Sequence, residues 1–193
     1  MQDVAGPALD ESVTVPSAAR MRELGERLAG LLRPGDLIVL SGQLGAGKTT
    51  LTQGIGSGLG VRGPVTSPTF VIARVHPSLR GGPGLVHADA YRLGSRAEVD
   101  DLDLDTDVDS SVTVVEWGEN LVEGLAPSFL EIAIAPVTAG PAGAGPGPAS
   151  EPGAGEPEAS EEADEPRTVR VVGWGDRWEH AAQAARDALS ETP

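Results

Sequence analysis

The nine residues GQLGAGKTT, at positions 42–50, join a glycine-rich turn to the only lysine in the chain. They fit G-x-x-x-x-G-K-[ST], with Gly42, Gly47, Lys48 and Thr49 in the fixed places and the apolar run Leu37 to Leu40 directly before them. This is the Walker A context of strand, loop and helix, and its chemistry is phosphate binding. Glycines let the backbone wrap closely around an anion, so that successive N–H groups and the start of the following helix face it. Lys48 then supplies a compact charge to the outer phosphates, a task for which arginine's wider planar fork is poorly shaped. All other basic side chains except histidine are arginines, which makes a lysine at this one place informative. Gly45, Ala46, Gly47, Lys48, Thr49 and Thr50 are the expected nucleotide-binding residues.

A bound triphosphate carries magnesium, and Mg2+ takes a hydroxyl or a carboxylate together with phosphate oxygens and waters. Thr49 supplies the hydroxyl by position in the motif. Two apolar runs, LVHADA and VTVVEW, reach Asp89 and Glu116. In an open parallel sheet the carboxyl ends of strands gather beside the ligand crevice, so both carboxylates are expected at the same phosphates. Asp89 is the expected magnesium carboxylate, directly or through water. Glu116 is expected to position the attacking water, and it is a second candidate for the metal.

TSPTF, at 66–70, is a hydroxyl-rich turn where nucleotide switches are placed, with Thr69 favoured over Thr66 and Ser67. Turn chemistry around Pro68 is the plainer account. Other stretches imitate sites and fail on spacing. GIGSGLG, at 54–60, puts Leu59 where a dinucleotide fingerprint needs its last glycine. DDLDLDTDVD, counted from Asp101, puts Thr106 and Val112 where a calcium loop needs glycine and glutamate. His87 beside Asp89 suggests a metal pair, but catalytic zinc needs about three protein ligands.

These residues must be held by elements. Ser17 precedes Met21, Leu24, Leu28, Leu31 and Leu32 at helical spacing, a capped helix ending near Pro34-Gly35. SVTV reads as a short edge strand, and DLIVLS as the strand feeding the loop. A helix then runs to about position 58. Further strands are expected at PTFVIARV, GLVHADA, SVTVVEW, SFLEIAIA and TVRVVGW, and a last helix from Asp176. This alternation predicts an α/β domain with a mostly parallel mixed sheet. Residues 1–10 read as a flexible tail, 11–137 as the core, 138–166 as an insertion and 167–193 as a strand and helix completing the core.

The insertion contains only small residues, proline and acids, without one large apolar side chain, and is expected to be disordered. It explains part of the net charge of −15: seven acids lie in 98–109 and seven in 138–166, with no Lys or Arg in either. The rest holds 15 acidic against 14 basic side chains, so the charge belongs to segments. No basic stripe interleaved with aromatics marks a nucleic-acid groove. Cysteine is absent, which excludes disulfides and thiolate metal sites. No apolar run reaches the roughly 20 residues of a membrane span and no signal peptide is legible, so a cytoplasmic protein is expected.

GQLGAGKT, VTSPTF, HADAYRL and VVEWGE, in this order, resemble the TsaE (YjeE) family, the bacterial ATPases of tRNA threonylcarbamoyladenosine biosynthesis. The resemblance spans roughly residues 14–136. It implies a P-loop NTPase-like three-layer fold, ATP and Mg2+ as ligands, and a nucleotide-dependent role with the TsaD and TsaB subunits in modifying adenosine 37 of tRNA. It also implies that Trp117, beside Glu116, lies near the nucleotide. Gln43 stands where the family usually has an acid, and Met21 where it often has threonine. A carboxylate contact from position 43 and a polar contact from position 21 are therefore not available. Two other readings use the same loop: a small-molecule kinase, with Arg92 and Arg96 as lid residues, and a nucleotide-sensing module without turnover. A GTPase is disfavoured, because an N-K-x-D guanine reader requires a second lysine.

Overall fold

Apolar runs bounded by glycine, proline or serine become strands, and the longer periodic stretches become helices. The computed structural model describes residues 6–68, 73–90, 110–118, 126–137 and 165–190. Among them one sheet contains β1 (Leu9–Val15), β2 (Leu37–Gly42), β3 (Ala73–His76), β4 (Gly84–Asp89), β5 (Ser111–Glu116), β6 (Phe129–Pro136) and β7 (Arg167–Trp174). The spatial order is β1-β7-β6-β2-β5-β4-β3.

β2 lies near the middle, parallel to β5 on one side and β6 on the other, and β4 runs parallel to β5. The pairings of β1 with β7, β6 with β7 and β3 with β4 are antiparallel. The mixed sheet is present, with its parallel part confined to the four strands β6, β2, β5 and β4. Burial on both faces explains their continuous apolar spelling: every residue of β5 is buried, and so are the first five of β2. β1 at the edge alternates instead.

The N-terminal tail is shorter than the expected 1–10. Leu9 is buried and begins β1 opposite Gly173, while Asp10 forms a two-bond fork with Arg170 at 2.8 and 2.7 Å. The polar residues of LDES hide a strand anchored inward by Leu9 and outward by ion pairs of Asp10 with Arg170 and Glu11 with Arg186.

The helices α1 (Ala18–Ala29), α2 (Lys48–Leu59) and α3 (Asp176–Ser190) contribute Leu24, Leu28, Leu51, Ile55, Trp178 and Leu189 to a single core with Ile38 and Leu40 of β2. Ser17 caps α1, its hydroxyl accepting from the Arg20 N–H at 3.3 Å. α1 and α2 pack closely because glycine allows it. A Cβ added at Gly54 would lie 2.1 Å from the Arg22 carbonyl oxygen. A smaller cluster, Leu37, Val39, Ala88, Ala90 and Val115, comes from the other strand-facing positions. The third layer expected over that cluster falls outside the described residues.

β6 and β7 form an antiparallel pair from Phe129↔Trp174 to Pro136↔Arg167, and the Val137 N–H donates to the Pro166 carbonyl at 3.2 Å. The insertion therefore interrupts the turn of a hairpin; its residues 138–164 lie outside the described set. Beyond it, Arg177 ties α3 to the start of β2. Its Nε and Nη2 donate to the two carboxylate oxygens of Asp36 at 3.2 and 3.1 Å, and Nη2 also reaches the Leu31 carbonyl at 2.7 Å. This bidentate fork completes the core across the insertion.

Candidate functional site

β2 delivers the chain to Gly42, where φ is +141° and a Cβ would lie 2.4 Å from the Ile134 carbonyl oxygen. The loop turns through Gly45 and reaches Gly47, which precedes α2 with φ +105°. Both conditions are ones that glycine meets without strain. Lys48 is buried, its Nζ donating to the carbonyls of Gly42 at 2.8 Å and Gln43 at 3.1 Å, and lying 4.1 Å from the Trp117 ring centroid. Carbonyl oxygens and the electron-rich ring face together offset part of the cost of taking an ammonium from water. Met21 of α1 lies against the loop, its Cε 3.5 Å from where a Gly47 Cβ would stand. The contact from that helix to the loop is apolar.

Trp117 follows β5 with φ +60°, in the left-handed region that costs a bulky residue on the order of 1–3 kcal/mol. Its N–H donates to the Leu40 carbonyl at 2.9 Å, which extends the β2–β5 ladder one residue before the turn. That turn holds the indole over Lys48.

Asp89 and Glu116 are direct partners in the parallel β4–β5 register, and Leu40 opposes Glu116 from the other side. Strand alternation puts His87 and Asp89 on the face shared by Leu85, and Glu116 on that of Val112 and Val114. All belong to the face covered by α2, since Leu85, Val112 and Val114 sit in the main core. Glu116 is buried and accepts two hydrogen bonds on one oxygen. His87 Nε2 lies 2.8 Å from Oε1, and the Thr49 hydroxyl donates to the same Oε1 at 3.2 Å. One strand out, His76 is buried with Nδ1 3.4 Å from the Arg62 carbonyl. Burial pushes its imidazole below the ordinary histidine value, opposed by the hydrogen bond to that carbonyl and aided by the positive charge of Arg74.

The expected residues Gly45, Ala46, Gly47, Lys48, Thr49, Thr50, Asp89, Glu116 and Trp117 thus meet around one loop and the strand ends beside it. Thr66 and Ser67 are exposed, and Thr69 lies outside the described residues. Arg92 and Arg96 lie outside them as well. His87 was legible as a possible metal neighbour of Asp89 and is instead the hydrogen-bond partner of Glu116. Its signal in the sequence was the period of two in HADA, which gives His87 and Asp89 one face.

The donor set suits an ion that arrives with its own ligands. Among the described residues no group of three His, Asp or Glu side chains is arranged to hold a metal. Mg2+ binds through one or two protein oxygens plus phosphates and waters, and Thr49, Asp89 and Glu116 offer such oxygens beside the loop. The described helices include none long and apolar enough to cross a membrane.

A central parallel strand, a glycine-rich loop closed by a buried lysine, and carboxylates at adjacent strand ends define a P-loop-like α/β protein. The family model described as threonylcarbamoyl adenosine biosynthesis protein TsaE matches residues 15–140, and the chain belongs to the TsaE family. It is 56% identical over 159 residues to the tRNA threonylcarbamoyladenosine biosynthesis protein TsaE of Streptomyces coelicolor, covering 82% of this chain and 93% of that protein. The protein of the same description from Bacillus subtilis is 39% identical over 114 residues, covering 58% of this chain and 70% of that one. The crystal structure of Bacillus subtilis YdiB superposes with a TM-score of 0.65 at 25% identity, covering 92% of this chain and 95% of that one.

Proposed function

We propose that the chain binds and hydrolyses ATP within the tRNA threonylcarbamoyladenosine machinery of the cytoplasm, acting as a nucleotide-dependent switch on a TsaD–TsaB pair. The observation that carries this reading is the buried Glu116 carboxylate, hydrogen-bonded to Thr49 in the first turn after the glycine-rich loop. In this reading the loop N–H groups and Lys48 hold the phosphates, and Trp117 keeps the ammonium in place. Bound magnesium would neutralise phosphate oxygens as charge develops on them, with Thr49 and Asp89 as its protein oxygens. Glu116 accepts a hydrogen bond from the Thr49 hydroxyl, which leaves the hydroxyl lone pairs for a cation. It also accepts a proton from water, the act of a general base.

The switch follows from what the site lacks in sequence: no acceptor-binding motif accompanies the loop, so hydrolysis has to act on a partner. TSPTF, with Thr69, is the segment proposed to respond to the outer phosphate. Glu116→Gln should preserve ATP affinity and slow single-turnover hydrolysis by about 100-fold, within the usual range for a general base. Hydrolysis and TsaD–TsaB affinity should be measured with ATP analogue, with ADP and without nucleotide. Coupling of about 1–3 kcal/mol between ATP and partner supports the switch. Equal partner affinity in all states, together with a phosphorylated small metabolite, returns the function to a kinase.

A further inference from the structure

His87 is the only described side chain that reaches Glu116 from the floor of the sheet. It is fully buried on β4, and its Nε2 lies 2.8 Å from Glu116 Oε1. The register opposes His87 to Val114, so the contact is a diagonal one, across the strand pair to the residue two further along β5. A carboxylate offers only acceptors, which requires the proton of this bond to sit on Nε2. The other ring nitrogen agrees. Nδ1 is buried and has no hydrogen-bond partner among the described residues, a situation that costs less for a bare lone pair than for an N–H deprived of its acceptor.

We propose that His87 is a positioning residue for Glu116: its Nε2–H fixes the carboxylate so that Oε1 receives His87 and Thr49 together and Oε2 serves the reacting water. This rests on the assignment of Glu116 as general base given above. The geometry explains why two donors converge on one oxygen. A carboxylate is free to rotate about its last bond, and a single bond from Thr49 at 3.2 Å leaves that rotation weakly determined. A second, shorter bond from a ring held rigidly in the core restricts it. Histidine suits the position because its donor lies at the end of a stiff, flat side chain with few torsions to order. Its contribution is orientation, so it should be felt in turnover rather than in nucleotide binding.

The test uses the full chain and five variants, with ATP affinity by calorimetry and single-turnover hydrolysis in the presence of magnesium. His87→Phe should slow hydrolysis about 10- to 100-fold, the usual loss when a partner orienting an active group is removed, and change ATP affinity less than threefold. His87→Gln places an amide donor near the same point and should recover at least a third of the rate. In a Glu116→Ala background, His87→Phe should have no further effect, because an influence carried through Glu116 disappears with it. Nitrogen NMR of the ring, simple in a chain with three histidines, should find His87 protonated at Nε2 and bare at Nδ1.

A ring protonated only at Nδ1 overturns the proposal, as does equal slowing by His87→Phe with and without Glu116. Rapid hydrolysis by His87→Phe overturns it too, while leaving Glu116 as base intact if Glu116→Gln is slow. Wild-type hydrolysis by Glu116→Gln marks failure of the underlying assignment instead. Should His87→Phe not fold, the His87→Gln rate and the ring signals of the unaltered protein decide the matter.

Discussion

Two glycine-rich stretches, GQLGAGKT and GIGSGLG, lie five residues apart and use the same residue for opposite ends. In the first, Gly42, Gly45 and Gly47 all have positive φ, and the chain leaves regular structure between β2 and α2. In the second, Gly54 is helical and its value is the missing Cβ, which lets the Arg22 carbonyl of α1 approach α2. One glycine set shapes the loop proposed to hold phosphate; the other brings two helices together behind it. Glycine content alone therefore says nothing of function, and the lysine at the junction separates the two cases.

The ligand-facing stretch depends most on Lys48. Lys48→Ala removes a charged donor from a buried site, and such hydrogen bonds are worth about 1.5–3 kcal/mol, so ATP affinity should fall at least tenfold. Lys48→Arg is the sharper variant. It keeps the charge and the attraction to the Trp117 ring, yet its broad fork cannot follow the path to the Gly42 and Gln43 carbonyls. Calorimetric titration should find it nearly as weak as alanine. Wild-type affinity in the arginine variant would show that the loop requires only a charge.

The second stretch should break in stability instead. Gly54→Ala gains up to about 1 kcal/mol of helix propensity, but its Cβ would stand 2.1 Å from the oxygen and 2.9 Å from the Cα of Arg22. Those atoms are backbone, and overpacking of this kind costs typically about 1–3 kcal/mol. Thermal unfolding should shift down by several degrees. An unchanged or higher Tm would remove close approach as the reason for the helix glycines.

What was legible in the sequence divides by distance along the chain. β2, its loop and α2 were legible because strand, turn and helix follow one another locally. Asp89 and Glu116 were legible because parallel strands bring their carboxyl ends together whatever the register. The His87 contact depends on the register itself, and no local pattern states it. The fork from Arg177 to Asp36 spans 141 residues and crosses the insertion, so neither residue advertises the other. Leu9 was hidden in a polar stretch, and the left-handed Trp117 comes from a residue type that seldom adopts that conformation.

His76 of β3, which contacts the Arg62 carbonyl just past α2, gives a smaller and pH-dependent handle on the structural stretch. Its native imidazole titrates below the ordinary histidine value near 6.5, chiefly because burial disfavours the charged ring, with the positive charge of Arg74 adding to the effect. The unfolded chain therefore takes up the proton first as pH falls. Stability is complete above the unfolded value and declines as pH drops toward the lowered native one, by at most about 1.4 kcal/mol per pH unit. His76→Asn keeps a donor for the Arg62 carbonyl and removes the titration. Denaturant midpoints at pH 7.5 and 5.5 should differ less in this variant than in the unaltered protein. Asp10, held below the ordinary carboxylate range by its bond to Arg170, contributes its own loss only in more acidic solution. Equal midpoint shifts in both proteins would remove His76 as a source of acid sensitivity.

A third glycine-rich stretch, the insertion, should matter least to stability and binding. Six of the chain's 26 glycines lie in 138–166, without an adjacent lysine and without a large apolar residue to pack. Its two ends are already fixed by the β6–β7 pair, with Pro136 opposite Arg167 and Val137 bonded to Pro166. Replacing residues 139–164 with a short Gly-Ser turn leaves that ladder in place. Loop-closure entropy changes by only about 0.6 kcal/mol for each doubling of length, so shortening should leave the fold as stable or slightly more so. The deletion also removes six acids, whose field is screened beyond roughly 8–10 Å at ordinary salt. Tm should stay within a few degrees, and ATP affinity within about twofold. A large fall in Tm would show that the tract packs on the domain. Tighter ATP binding that disappears at high salt would show instead that its carboxylates compete with phosphate for the loop, making the acidic run a part of the site that its composition does not announce.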